Sequence, residues 1–180
     1  MLTNSRRGQE AMLRFPPSSD ATIPVIEMRH TPEPLAETLS ALGPILAPAR
    51  EQWWIIGSAA VALHGADPGT VADIDILLSP GDAARVLATL GLEAQRGSGS
   101  SRFCSEIFAV WHGLPLPVEF MAGFQYRSGG SWHTVRPTSR QKIMLGNSAI
   151  FVPARDELIA LLCGFYRPKD RMRAERLADI

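Results

Sequence analysis

Residues 53–80 read WWIIGSAAVALHGADPGTVADIDILLSP, and the fold turns on this stretch. Trp53-Trp54-Ile55-Ile56 is a short apolar run rich in strand formers, ended by Gly57-Ser58. Ser58 suits an N-cap, and Ala59 to His64 read as a short helix stopped by Gly65. Asp67-Pro68-Gly69-Thr70 has turn chemistry. Asp73 to Leu78 then reads as a strand. Alternation puts Asp73 and Asp75 on one face and Ile74 and Ile76 on the other. Two carboxylates on one face repel each other, and the usual compensators are divalent metals or basic side chains. Two ordinary solvent-facing aspartates would look the same, because Asp-x-Asp is so short. The Gly57-Ser58 turn upstream, at a helix start that can hold phosphate, favours the functional reading.

Upstream, Glu33 to Leu42 carries Leu35, Leu39 and Leu42 on one helical face and predicts a helix ended by Gly43-Pro44. Such a helix would cover one face of the sheet that begins at Trp53. Residues 1–32 show no periodic pattern and read as a loosely draped arm, with Val25-Ile26 as a short edge strand. Residues 1–45 are therefore expected to form an arm and helix, and residues 46–180 the main domain.

Downstream, Ser79-Pro80-Gly81-Asp82 starts a helix whose stripe is Ala83, Val86, Leu87 and Leu90, with Gly91 as C-cap. Gly97 to Ser101 reads as a solvent loop, a hairpin loop or a lid. Phe103 to Trp111 reads as a strand, and His112 to Pro115 as a turn. Leu116 to Met121 is an apolar strand with one carboxylate, Glu119, in its middle. Burying that carboxylate unpaired would cost several kcal/mol, so it belongs either on a wet edge or in a site. Gln125 to Arg140 reads as a hairpin turning at Gly129-Gly130. Its Tyr126, Arg127, Trp132, His133 and Arg136 could frame a cleft or pair across strands. Ile150 to Val152 is a last strand. A buried helix follows Pro153, and a final helix starts near Pro168.

The chain has 180 residues, no net charge and 46% apolar residues. That suits one globular domain and gives no global field to attract nucleic acid or an anionic membrane. Cys104 and Cys163 have apolar neighbours and read as buried free thiols in a reducing cytoplasm. No apolar run is long enough to span a membrane. The four histidines lack metal spacing, and His64 reads as a packing or capping residue. No phosphate-loop lysine motif or Gly-x-Ser-x-Gly elbow is present.

The order strand, Gly57-Ser58, short helix, Asp73-Ile74-Asp75 strand resembles the nucleotidyltransferase superfamily that includes DNA polymerase beta. It is most similar to minimal nucleotidyltransferases of the abortive-infection type IV toxin kind. The likeness lies in Ile56-Gly57-Ser58-Ala59 through His64-Gly65, in Thr70 to Asp75, and in Lys169-Asp170, and it extends from about Gln52 to Leu177. Ser58 replaces a second glycine, Pro68-Gly69 stands where an Arg often precedes the Thr, and Leu161 to Cys163 stand where a Lys is expected. Val118-Glu119-Phe120 matches the third-carboxylate strand, with Glu where Asp is commoner.

The resemblance implies an α/β fold: a small mixed sheet with flanking helices and a C-terminal helical pair. It implies metal-dependent transfer of a nucleoside monophosphate from an NTP to an acceptor hydroxyl. Asp73, Asp75 and Glu119 would be catalytic and would hold Mg²⁺ or Mn²⁺. Gly57, Ser58 and Lys169 would bind the nucleotide. The acceptor would be RNA, protein or a small molecule. The alternatives are a decayed relative that only binds a nucleotide or partner, and a toxin with an antitoxin partner.

Overall fold

The computed structural model describes residues 32–180; the expectations for the arm and for Val25-Ile26 lie outside them. The first helix, α1 (Glu33–Leu46), leads into β1 (Trp54–Ile56), α2 (Gly57–Leu63), β2 (Ile74–Leu78) and α3 (Pro80–Leu90). Then come β3 (Gln95–Gly99), β4 (Phe103–Trp111), β5 (Val118–Ala122) and the hairpin β6 (Gln125–Ser128) and β7 (Ser131–Thr134). A second hairpin, β8 (Gln141–Leu145) and β9 (Ser148–Val152), precedes α4 (Arg155–Phe165) and α5 (Pro168–Ala178). The fold is α/β, with a mixed sheet, flanking helices and a C-terminal helical pair.

The main sheet runs β1-β2-β5-β4-β6-β7, with β3 also paired to β4. Strands β2 and β5 are parallel, and the other pairs are antiparallel. One face of the central strands is fully covered: Ile74, Ile76, Val118 and Phe120, matched in register, are all buried, while Asp75 and Glu119 point to the other face. Helix α3 begins as its sequence dictates. Ser79 accepts from the Asp82 amide, and Gly91 closes the helix in the left-handed conformation. The buried Asp82 carboxylate accepts from the Arg50 and Glu51 amides and pairs with Arg85. Burial pushes Asp82 up, but those donors outweigh it and hold the carboxyl below its usual value.

Helix α1 does not stop at Gly43-Pro44; it continues to Leu46. The reason is tertiary. Leu46 is buried, and Gly43 lies so close to β9 that a Cβ there would meet Ser148 at 2.9 Å. The apolar stripe thus packs on β9, which abuts β1, and extends the core from that side. Gly97 to Ser101 is not a plain solvent loop: Gly97 to Gly99 belong to β3, which pairs with β4, and Ser100-Ser101 lie in the loop of that hairpin. Strand β8 has no separate sequence expectation. The hairpin turning at Gly129-Gly130 forms, with Tyr126 stacked on His133 at 5.3 Å. Neither cysteine is buried. Cys104 is half-buried, Cys163 is exposed, and both are free.

Candidate active site

The chain turns from β1 into α2 with no residue to spare. Ile56 pairs with Asp75 in the antiparallel β1–β2 register, and Gly57 follows at φ 66°. A Cβ on Gly57 would lie 2.2 Å from Asp75 Oδ2, so glycine is required both for the turn and for the carboxylate beside it. Because Gly57 itself opens the helix, Ser58 lies inside the first turn. The N-cap position is Ile56, which makes no side-chain cap, contrary to the expectation for Ser58. His64 ends α2, with Nε2 2.9 Å from the Pro153 carbonyl; burial holds this imidazole below its usual pKa.

Asp75 and Glu119 are register partners across the parallel β2–β5 pair. In a parallel ladder, matched residues point to the same face, so both carboxylates reach one side of the sheet. Asp73 immediately precedes β2 and opens on the same cavity. That cavity, about 560 Å³, is lined by Ser58, Asp73, Asp75, Glu119, Arg167 and Lys169, together with Thr70 and Arg173. Gly57 lines a second cavity that shares Asp75, Glu119 and Arg167 with the first. All six residues expected at the site are therefore brought together around one wall of carboxylates.

The electrostatics follow from this crowding. Burial pushes the Asp75 carboxyl up to about 7, reinforced by the charges of Asp73 and Glu119 and opposed by Arg167 and Lys169. Burial and Asp73 likewise raise Glu119, against the opposing Lys169. Lys169 projects from the first turn of α5 and lines the same cavity as the three carboxylates.

Three residues with no expected role in the site shape it: Arg167 and Arg173, which the sequence did not single out, and Asp170, which entered only through the Lys169-Asp170 likeness. Arg167 sits at the start of α5, pairs with Asp170, and lies 4.9 Å over the Phe103 ring. Asp170 is fully buried between Arg167 and Arg173. Arg173 donates to the Pro68 and Thr70 carbonyls, both at 2.9 Å, and so fastens the loop that leads to Asp73. The spacing Arg167-x-x-Asp170-x-x-Arg173 puts an acid between two bases on one helical face. That was the available signal. The aromatic residues of the β6–β7 hairpin line neither cavity.

The donor set fits a hard divalent cation in kind. All three candidates are carboxylates, and their mutual repulsion is what such an ion relieves. As the side chains stand, no three His, Cys, Asp or Glu groups among the described residues gather tightly enough to hold one ion.

The fold matches that of a candidate nucleotidyltransferase from Thermotoga maritima, TM1012. The TM-score is 0.58 at 21% identity, over 86% of this chain and all of that one. Weaker likenesses are to the antibiotic-resistance factor ANT(2'')-Ia (TM-score 0.49, 12% identity, 79% of this chain and 83% of that) and to the lincosamide antibiotic adenylyltransferase LnuA (TM-score 0.45, 12% identity, 72% and 87%). No protein-family profile and no curated protein matches the chain. The chain has the nucleotidyltransferase fold.

Proposed function

We propose that this protein transfers a nucleoside monophosphate from an NTP to an acceptor hydroxyl. One observation carries the reading. Asp75 and Glu119 are matched in register, and they share a cavity with Asp73, Ser58 and Lys169. Asp73, Asp75 and Glu119 would hold Mg²⁺ or Mn²⁺, which when bound supplies charge stabilisation to the entering and leaving oxygens. The chain's own groups do the rest. Gly57 leaves room for Asp75 and brings backbone close to the nucleotide, while the Ser58 hydroxyl and the Lys169 ammonium contact the phosphates. Arg167 adds positive charge where the leaving group departs. Glu119, with its raised proton affinity, accepts the acceptor's proton.

Transfer is tested by incubating the protein with each α-³²P-labelled NTP, Mg²⁺ or Mn²⁺, and candidate RNA, protein and small-molecule acceptors. Metal-dependent label on an acceptor, lost in Asp73→Asn, supports the reading. A second reading, a module that binds NTP without turnover, is favoured by the absence of three converging ligands among the described residues. It predicts NTP binding with no label transfer. A toxin role with an antitoxin partner rests on the sequence resemblance alone. A cytoplasmic setting suits an NTP-dependent reaction and two free thiols. No helix among the described residues is long and apolar enough to cross a membrane.

A further inference from the structure

The second cavity, about 460 Å³, differs in kind from the first. Its walls are Ile56, Phe103, Phe108, Met121, Phe124 and Phe165. Phe103 stacks on Phe124 at 5.8 Å, and Phe165 meets both rings edge-on, so the aromatic wall is locked before any ligand arrives. Its polar lining is neutral except at one place: Gln95, Ser100, Cys104 and Ser105 carry no charge, while Asp75, Glu119 and Arg167 form the wall shared with the first cavity. The cleft is therefore divided. One side is charged and polar, with Lys169 and Arg173. The other is apolar and large enough for a small molecule.

We infer that the apolar cavity is the acceptor site and that it takes a small, uncharged molecule with an apolar body and one hydroxyl directed at Glu119. This rests on the nucleotidyl-transfer reading and names its substrate class. An RNA acceptor would need several cations along the cavity, and among the described residues Arg167 is the one cation that lines it. A protein acceptor would reach Glu119 with a single inserted side chain, which leaves most of a cavity of about 460 Å³ unfilled. In the reaction, the acceptor oxygen forms a bond to the α-phosphorus. The bond from that phosphorus to the α–β bridging oxygen breaks, and pyrophosphate leaves with the electron pair. The acceptor's proton passes to Glu119 and then to water.

The two free cysteines supply a test on the unmodified protein. Cys104 lines the apolar cavity, and Cys163 lies outside both it and the carboxylate cavity, as an internal control. The probe is 2-naphthalenemethanol, a neutral aromatic alcohol. N-Ethylmaleimide labelling of each thiol is followed by mass spectrometry, and ATP binding by melting temperature. We expect saturating probe to slow Cys104 labelling at least fivefold while leaving Cys163 within twofold, both with and without bound ATP. ATP alone should leave Cys104 labelling unchanged. If ATP alone protects Cys104 and excludes the probe, the cavity holds the nucleobase; the acceptor assignment falls, while nucleotide binding survives. If ATP raises the melting temperature but the probe protects nothing, the cavity is not an acceptor site. If ATP does not bind at all, the nucleotidyl-transfer reading fails and the acceptor assignment falls with it, whether or not the probe protects Cys104.

Discussion

Asp75 and Glu119 stand side by side across the parallel β2–β5 pair, each the other's register partner. The sheet therefore builds like-charge crowding into its centre, where Ile74, Ile76, Val118 and Phe120 leave no slack for the backbone to move away. The fold holds two carboxylates together against their repulsion, and that cost has measurable consequences.

The first consequence concerns pH. The folded-state pKa of Asp75, about 7, lies above that of the unfolded chain. Between these values the folded protein binds the extra proton, so this group's stabilising contribution is complete at low pH and is lost as pH rises through 7. Asp75→Asn abolishes that dependence. Without metal, the mutant should match wild type near pH 4 and exceed it by up to about 4 kcal/mol at pH 8. Urea unfolding across that range checks it; a mutant that is less stable at pH 8 contradicts the assigned crowding.

Gly57 is the second point of strain. An alanine there would hold φ 66° with its Cβ against Asp75 Oδ2. Gly57→Ala should cost about 1–3 kcal/mol and weaken NTP binding by displacing Asp75. Adding Asp75→Ala should restore part of that stability, with a coupling of roughly 1 kcal/mol. Strictly additive losses in the double mutant would show that the two residues do not touch.

Asp170 joins α5 to the site. It is buried between Arg167 and Arg173, and Arg173 in turn holds the Pro68 and Thr70 carbonyls. Asp170→Ala leaves two guanidinium groups without their shared acid and should destabilise the protein by about 3–5 kcal/mol. Amide exchange in residues 67–73 should rise with it. Destabilisation without faster exchange in that loop would show that α5 does not fasten it.

Glu119→Gln keeps the side chain's shape and removes its charge. NTP should still bind through Ser58 and Lys169, while transfer falls on the order of a hundredfold or more. Equal transfer rates in wild type and mutant would remove Glu119 from the chemistry.

The carboxylate strands were legible because they break local rules. Asp73-Ile74-Asp75 crowds charge on one face, and Glu119 interrupts an apolar strand. Each violation points to a site, and the structure sets the two side by side on one face of the sheet. What stayed hidden was tertiary. Gly43-Pro44 signals a helix end, yet contact with Ser148 and burial of Leu46 carry α1 onward. Gly97-Ser98-Gly99 has the composition of a loop, and only pairing with β4 makes it a strand. Ser58 has the right chemistry for a cap but stands two residues past the N-cap position, Ile56. Arg167 gains meaning only when Phe103 and Asp170 are placed around it.

The most direct test of the account is calorimetric titration of Mn²⁺, in the presence of ATP, into wild type and the Asp73→Asn, Asp75→Asn double mutant. If the three carboxylates form the cation site that serves the nucleotide, wild type binds Mn²⁺, and the folded double mutant binds it at least tenfold more weakly, a difference of about 1.4 kcal/mol or more. Equal Mn²⁺ affinity in the two proteins would contradict the account.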